Sequence, residues 1–141
     1  MTTTSSSKML KPKEIMKIIN YFLLDRRQWK IIGWNSGAGE INVVRYEDID
    51  EKKHVAKVTH IWSEMREDMT FGLFERVLHD IIKQKSFELI VVFKRPGSPV
   101  IMLYRISRRV MDKTVNLWGT GKSGQYQIPI KFFEKLDEFL M

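Results

Sequence analysis

Apolar and polar residues follow two rhythms along the chain. Between residues 11 and 28 the period is helical: Ile15, Ile19, Phe22 and Leu23 fall at i, i+4, i+7 and i+8, the spacing of a single buried stripe. Pro12 stands where a first helical turn tolerates a missing N–H, and Arg26-Arg27 close the segment where cations suit the helix dipole. From residue 29 the rhythm becomes that of strands. Apolar stretches 29–34, 40–46, 54–62, 87–93, 100–107 and 114–118 are separated by turn chemistry such as Asn35-Ser-Gly-Ala-Gly39 and Lys94-Arg-Pro-Gly-Ser-Pro99. Met69 and Phe71 mark a short further strand, and Tyr126, Ile128 and Ile130 alternate as another. Two more helices are predicted. Leu73, Val77 and Ile81 step by four over 73–84, and Phe132, Leu136 and Leu140 do so over 131–140.

The order of these elements repeats. Residues 29–34 align with 87–92, 57–62 with 113–118, and 74–76 with 133–135, at offsets of 58, 56 and 59. At an offset of 59, Met69 and Phe71 fall on Ile128 and Ile130, and the predicted helix stripes superpose. The expected fold is therefore α+β: internally duplicated ββββα units with curved antiparallel sheets and packed helices, plus an N-terminal helix. Residues 1–10 are read as a flexible tail, 11–28 as the N-terminal helix, 29–85 as repeat one and 86–141 as repeat two. Together they form one domain, as 141 residues lead one to expect. Neither unit easily buries both its sheet face and its helix alone, so duplication within a monomer or pairing in a homodimer is expected.

Charge separates the two copies. The net charge is +7, but residues 1–30 carry +5, residues 31–80 carry −4 and residues 81–141 carry +6. A polyanion would meet the basic ends, and the acidic repeat is a candidate surface for a protein partner. Cysteine is absent, which removes disulfides, thiolate chemistry and cysteine-based zinc sites and fits an intracellular location, cytoplasmic or nuclear. No apolar run has the length of a membrane span, and the first residues have no apolar core for a secretory signal.

No catalytic motif stands out. Gly119-Thr-Gly-Lys-Ser123 lacks the earlier glycine of a phosphate-binding loop, where Asn116 stands instead, and a strand rather than a helix is predicted to follow. It reads as a hairpin loop. His54, His60 and His79 are too few and too scattered for a catalytic metal site. The expectation is a protein that is not an enzyme, with no cofactor and no metal.

Aromatic and basic residues interleave along the predicted strands. Single strands of nucleic acid are held by a cationic track beside aromatic faces on which bases stack. The candidate phosphate contacts are Lys94, Arg95, Arg105, Arg108, Arg109, Lys113 and Lys122, with Lys11, Lys13 and Lys17 extending the track. Trp62 and Trp118 are the stacking candidates, whereas Trp29, Phe93 and Tyr104 are assigned to the core. In layout the second repeat resembles the PC4-type single-stranded-DNA-binding unit: 87–93, a Pro-Gly turn, 100–107, then Gly124-Gln-Tyr-Gln-Ile-Pro-Ile130 leading into a helix. Whirly and PUR proteins are similar, and PUR repeats pair two such units in one chain. That resemblance implies non-enzymatic binding of single-stranded DNA or RNA in transcription, replication or RNA handling. The other expectation is a small adaptor or regulatory protein that binds another protein through its sheets, without nucleic acid.

Overall fold

A computed structural model describes residues 11–36, 42–61, 63, 65–74, 87–120 and 124–141. The molecule is α+β and mostly sheet. Helix α1, Pro12–Asn20, runs into a π-helical turn, Tyr21–Arg26. Strands β1 (Lys30–Ser36), β2 (Asn42–Glu47) and β3 (Lys53–Ile61) form a meander. Strand β4 (Thr70–Phe74) leaves for a second sheet, and β5 (Phe87–Phe93) and β6 (Val100–Ser107) return to the first. Helix α2, Arg108–Thr114, follows β6 directly and ends in a 3-10 turn, Val115–Leu117. Strands β7 (Gly119–Thr120) and β8 (Gln125–Pro129) join β4, and β9 (Glu134–Leu140) completes the main sheet.

The main sheet has the order β1-β2-β3-β5-β6-β9, and the small sheet the order β4-β8-β7. Among the described residues every strand pairing is antiparallel except β3 with β5, which is parallel from Val55↔Phe87 to Ile61↔Phe93. The expectation of wholly antiparallel sheets is thus corrected at the sheet's centre. A parallel pair needs a long crossover, and residues 62–86, including β4, supply it. Strand β5 reads Phe-Glu-Leu-Ile-Val-Val-Phe, the near-continuous apolar run of a strand buried on both sides. Ile90 and Val92 meet Ile15 and Ile19 of α1 and Phe22 of the π-helical turn on one face. Leu89, Val91 and Phe93 meet Met111, Trp118 and Ile128 on the other. Each such side chain, fully buried, contributes about 1.5–3 kcal/mol relative to exposure.

The closing segment differs most from its expected form. Residues 131–140 are not a helix: a 3-10 turn, Ile130–Phe132, leads into β9. The four-residue spacing of Phe132, Leu136 and Leu140 suits a helix, but β6 offers a row of backbone partners, and ladder bonds with side-chain pairing outweigh local propensity. A β-bulge makes the apolar pattern fit. Leu103 pairs with Asp137 while the adjacent Tyr104 pairs with Lys135, so Leu136 is an extra residue in β9. The bulge shifts side-chain parity, and Leu136 and Phe139 both reach the α1 side. Leu140 is left 70% exposed.

Two further segments are corrected. Residues 108–113, which lie between the expected strands 100–107 and 114–118, form α2, and 114–118, read as a strand, are its last residue, the 3-10 turn and the extended Trp118. Ser107 caps the helix by accepting from Val110 N at 3.3 Å, and Met111, 2% exposed, anchors it in the core. The alignment of 57–62 with 113–118 therefore sets a strand against a helix end, and that of 74–76 with 133–135 includes the start of β9. The predicted helix 73–84 begins inside β4, and its remainder lies outside the described residues. Among the described residues no helix is long and apolar enough to cross a membrane.

Candidate nucleic-acid interface

Helix α2 carries the densest set of cations expected to meet phosphates. Its buried side holds Met111, with Val110 packed alongside, so Arg109 and Lys113 are left exposed four residues apart. Like charges at that spacing repel by about 0.2–0.5 kcal/mol in a helix. Arg108 is more enclosed and sits 3.5 Å from the Asp112 carboxylate. These four side chains line one open depression on the surface.

The other candidates do not join them. Lys94 follows β5 and Arg95 lies in the turn before β6, at the end of the sheet opposite α2. The eight residues of β6 separate the two groups, a span of about 25 Å at the usual strand rise. Lys13 and Lys17 are exposed on α1, across the sheet from α2. Trp62 and Lys122 lie outside the described residues. Trp118 is not an open stacking platform: it is 8% exposed, and its Nε1 donates to Thr114 Oγ1 at 3.0 Å. Tyr46 and Tyr104 are buried as well, and Trp34 Nε1 donates to Asn20 Oδ1 at 2.9 Å.

Arg105, expected among the phosphate contacts, turns inward instead. Its Nε donates to Glu134 Oε1 at 2.8 Å across the β6–β9 pair, and Nη1 lies 3.7 Å from Glu88 Oε1. Around it is a polar network that the sequence reading missed. Trp29 stacks on Tyr46 with ring centres 5.6 Å apart, and Tyr46 stacks on His54 at 4.7 Å. The Tyr46 hydroxyl hydrogen-bonds Glu88 Oε1, and Arg105 Nη1 donates to the same hydroxyl at 3.4 Å. His54 Nδ1 is 3.2 Å from Glu88 Oε2, and its Nε2 is 2.8 Å from Asp48 Oδ2. The signal for this network was a lone acid, Glu88, near the start of an otherwise apolar strand. Buried carboxylates require partners.

Electrostatics follows from the geometry. The hydrogen bond to Glu88, then that to Asp48, raises the His54 pKa against the opposing effect of burial. The hydrogen bond from His54 leads the lowering of Asp48. Burial, followed by the nearby Glu88 charge, raises Tyr46 and keeps its phenol neutral. For Arg105, burial is the largest influence and opposes its charge, yet Glu88 and Glu134 more than offset it and the pKa is raised. Both imidazole nitrogens and both Glu88 oxygens are engaged. That arrangement suits charge compensation of a buried carboxylate. Among the described residues no cluster of histidine and acidic side chains is placed to hold a metal ion.

Comparison of the chain with family models, with curated proteins and with solved structures finds no match.

Proposed function

We propose that this is a non-enzymatic nucleic-acid-binding protein that holds single-stranded DNA or RNA by its phosphates, through Arg108, Arg109 and Lys113. The observation that carries the reading is the exposed like-charge pair Arg109 and Lys113 on α2, an arrangement that an anionic partner relieves. The charge of the chain supports it, since residues 81–141 carry +6. Base stacking plays a small part, because Trp118, Tyr46 and Tyr104 are buried and both faces of the central strands are covered. Contact with phosphates predicts little dependence on base sequence.

Titration of a labelled single-stranded oligonucleotide over a range of salt concentrations tests the reading. Each phosphate contact contributes a slope of about −0.7 in log K against log salt for a single strand. Arg109→Ala with Lys113→Ala is expected to remove about 1.4 from the slope. Both residues are exposed, so the melting temperature should change little. Absence of binding at low salt, or an unchanged slope in the double variant, would exclude this interface.

A further inference from the structure

A second surface lies on the other side of the main sheet. Along α1 and the π-helical turn, Lys13, Met16, Lys17, Tyr21 and Leu24 line a groove whose far wall is Met141. Its volume is about 490 Å³. Leu24 is 48% exposed and Met141 42%. Exposed large apolar side chains are ordinary when scattered, but a contiguous set with a polar rim marks a docking surface. Met141 is held in place by a hydrogen bond from its N–H to Pro99 O at 2.9 Å, so the wall is part of the fold.

The rim indicates the charge of the occupant. Lys13 and Lys17 are exposed one helical turn apart and make no ion pair among the described residues. Asp25 lines the groove at the other end of the helical stripe. The neighbouring sheet edge indicates the occupant's shape. Among the described residues strand β9 is an edge strand, but Arg27 Nη2 donates to Leu136 O and Arg26 Nη2 donates to Glu138 O at 3.4 Å. With these outward carbonyls covered, addition of another strand is blocked there. A second copy of the chain is disfavoured because a twofold axis through the groove would bring Lys13 and Lys17 against their own equivalents. A membrane is disfavoured because the apolar residues line a concavity.

We propose that this groove is the docking site of an amphipathic helix from a partner protein. Its apolar stripe packs on Met16, Leu24 and Met141, and its acidic residues meet Lys13 and Lys17. This is the helix-in-groove mode, in which anchors at i, i+3, i+4 and i+7 fill the apolar floor. The site is independent of α2.

The test uses the ¹⁵N-labelled full chain and a designed helical peptide of about 18 residues, with leucine at those anchor positions and glutamate flanking them. The expected result is saturable amide shift changes confined to residues 13–24 and 139–141. Lys17→Glu and Leu24→Glu should each weaken the peptide about tenfold or more, while Arg109→Glu should leave it unchanged. Both substituted residues are exposed, and a thermal melt of each variant verifies folding. If Leu24→Glu does not fold, Lys17→Glu alone decides. The proposal is overturned if millimolar peptide produces no shifts, if the shifts map elsewhere, or if a lysine-flanked counterpart binds equally well. It is also overturned if vesicles of phosphatidylserine and phosphatidylcholine move these resonances while the peptide does not, since the surface would then be lipid-directed. Concentration-dependent self-association through these residues without peptide would reassign it to a second copy.

Discussion

His54 Nδ1 lies 3.2 Å from Glu88 Oε2, joining the start of β3 to the start of β5 across the parallel pair at the centre of the sheet. The other imidazole nitrogen holds Asp48, whose Oδ1 also accepts from the backbone N–H groups of Asp50 and Lys52 in the β2–β3 turn. One histidine thus ties a surface turn to a buried carboxylate.

The pH dependence of stability follows from the direction of each shift. The folded pKa of His54 is raised above its unfolded value of about 6.5. Its contribution is fully present below that value and is lost as pH rises through the folded pKa. Asp48 is lowered, so its contribution is present above about pH 3.9 and is lost as pH falls through the folded pKa. His60, lowered by burial, acts in the opposite direction to His54: its contribution is present above about pH 6.5 and is lost as pH falls below that value through the folded pKa. A His54→Gln variant isolates the first of these. Thermal melts should show the largest gap between parent and variant from about pH 4 to 6.5, narrowing in alkali. A gap that widens with alkali would contradict the assignment.

Glu88 is 6% exposed and compensates Arg105 as well as His54. Glu88→Ala leaves those cations and the Tyr46 hydroxyl without their shared acceptor, an expected loss of about 3–5 kcal/mol. Tyr46→Phe removes a single hydroxyl, and its loss should be about 1–3 kcal/mol. Urea unfolding with an unchanged m-value measures both. Equal losses would mean that Glu88 acts through Tyr46 alone.

Trp118 separates a core role from a binding role. Its ring packs edge-on to Tyr126 at 6.1 Å and belongs to the cluster with Phe71 and Ile128. Trp118→Ala should cost about 3–5 kcal/mol. Trp118→Phe, which retains most of the volume, should leave oligonucleotide affinity within about twofold. A larger loss in a folded Trp118→Phe protein would return the residue to the interface.

Arg26 and Arg27 guard the edge of β9. Arg26 forms a two-pronged pair with Asp137 at 2.8 and 2.9 Å, which leads the lowering of the Asp137 pKa. Arg26→Ala with Arg27→Ala uncovers the carbonyls of Leu136 and Glu138, and exposed edges pair with other chains. Sedimentation velocity should show a concentration-dependent larger species absent from the parent. Unchanged sedimentation would show that the arginines do not protect the edge.

Much of the local structure was legible in residue order. The Pro-Gly turn at 96–97 and its two apolar flanks mark β5 and β6 with their observed bounds, because alternation and turn residues act over a few positions. Gly97, at φ +80, adopts the left-handed conformation such a turn requires. Helix α2 was not expected, although Ser107, whose hydroxyl caps it, is a residue type that starts helices.

What the chain order leaves open is which elements meet. Leu136 and Leu140 have helical spacing, and only the unpaired edge of β6, presented by the assembled sheet, draws 134–140 into a strand. Arg105 looks on paper like its neighbours Arg108 and Arg109. It becomes an internal counter-ion because β5 and β9 bring Glu88 and Glu134 to either side of it. The sequence by itself determined the strands of the β5–β6 hairpin, the basic second half and the absence of cysteine chemistry. The tertiary structure decided which cations face solvent, because burial and pairing depend on contacts between residues far apart in the chain.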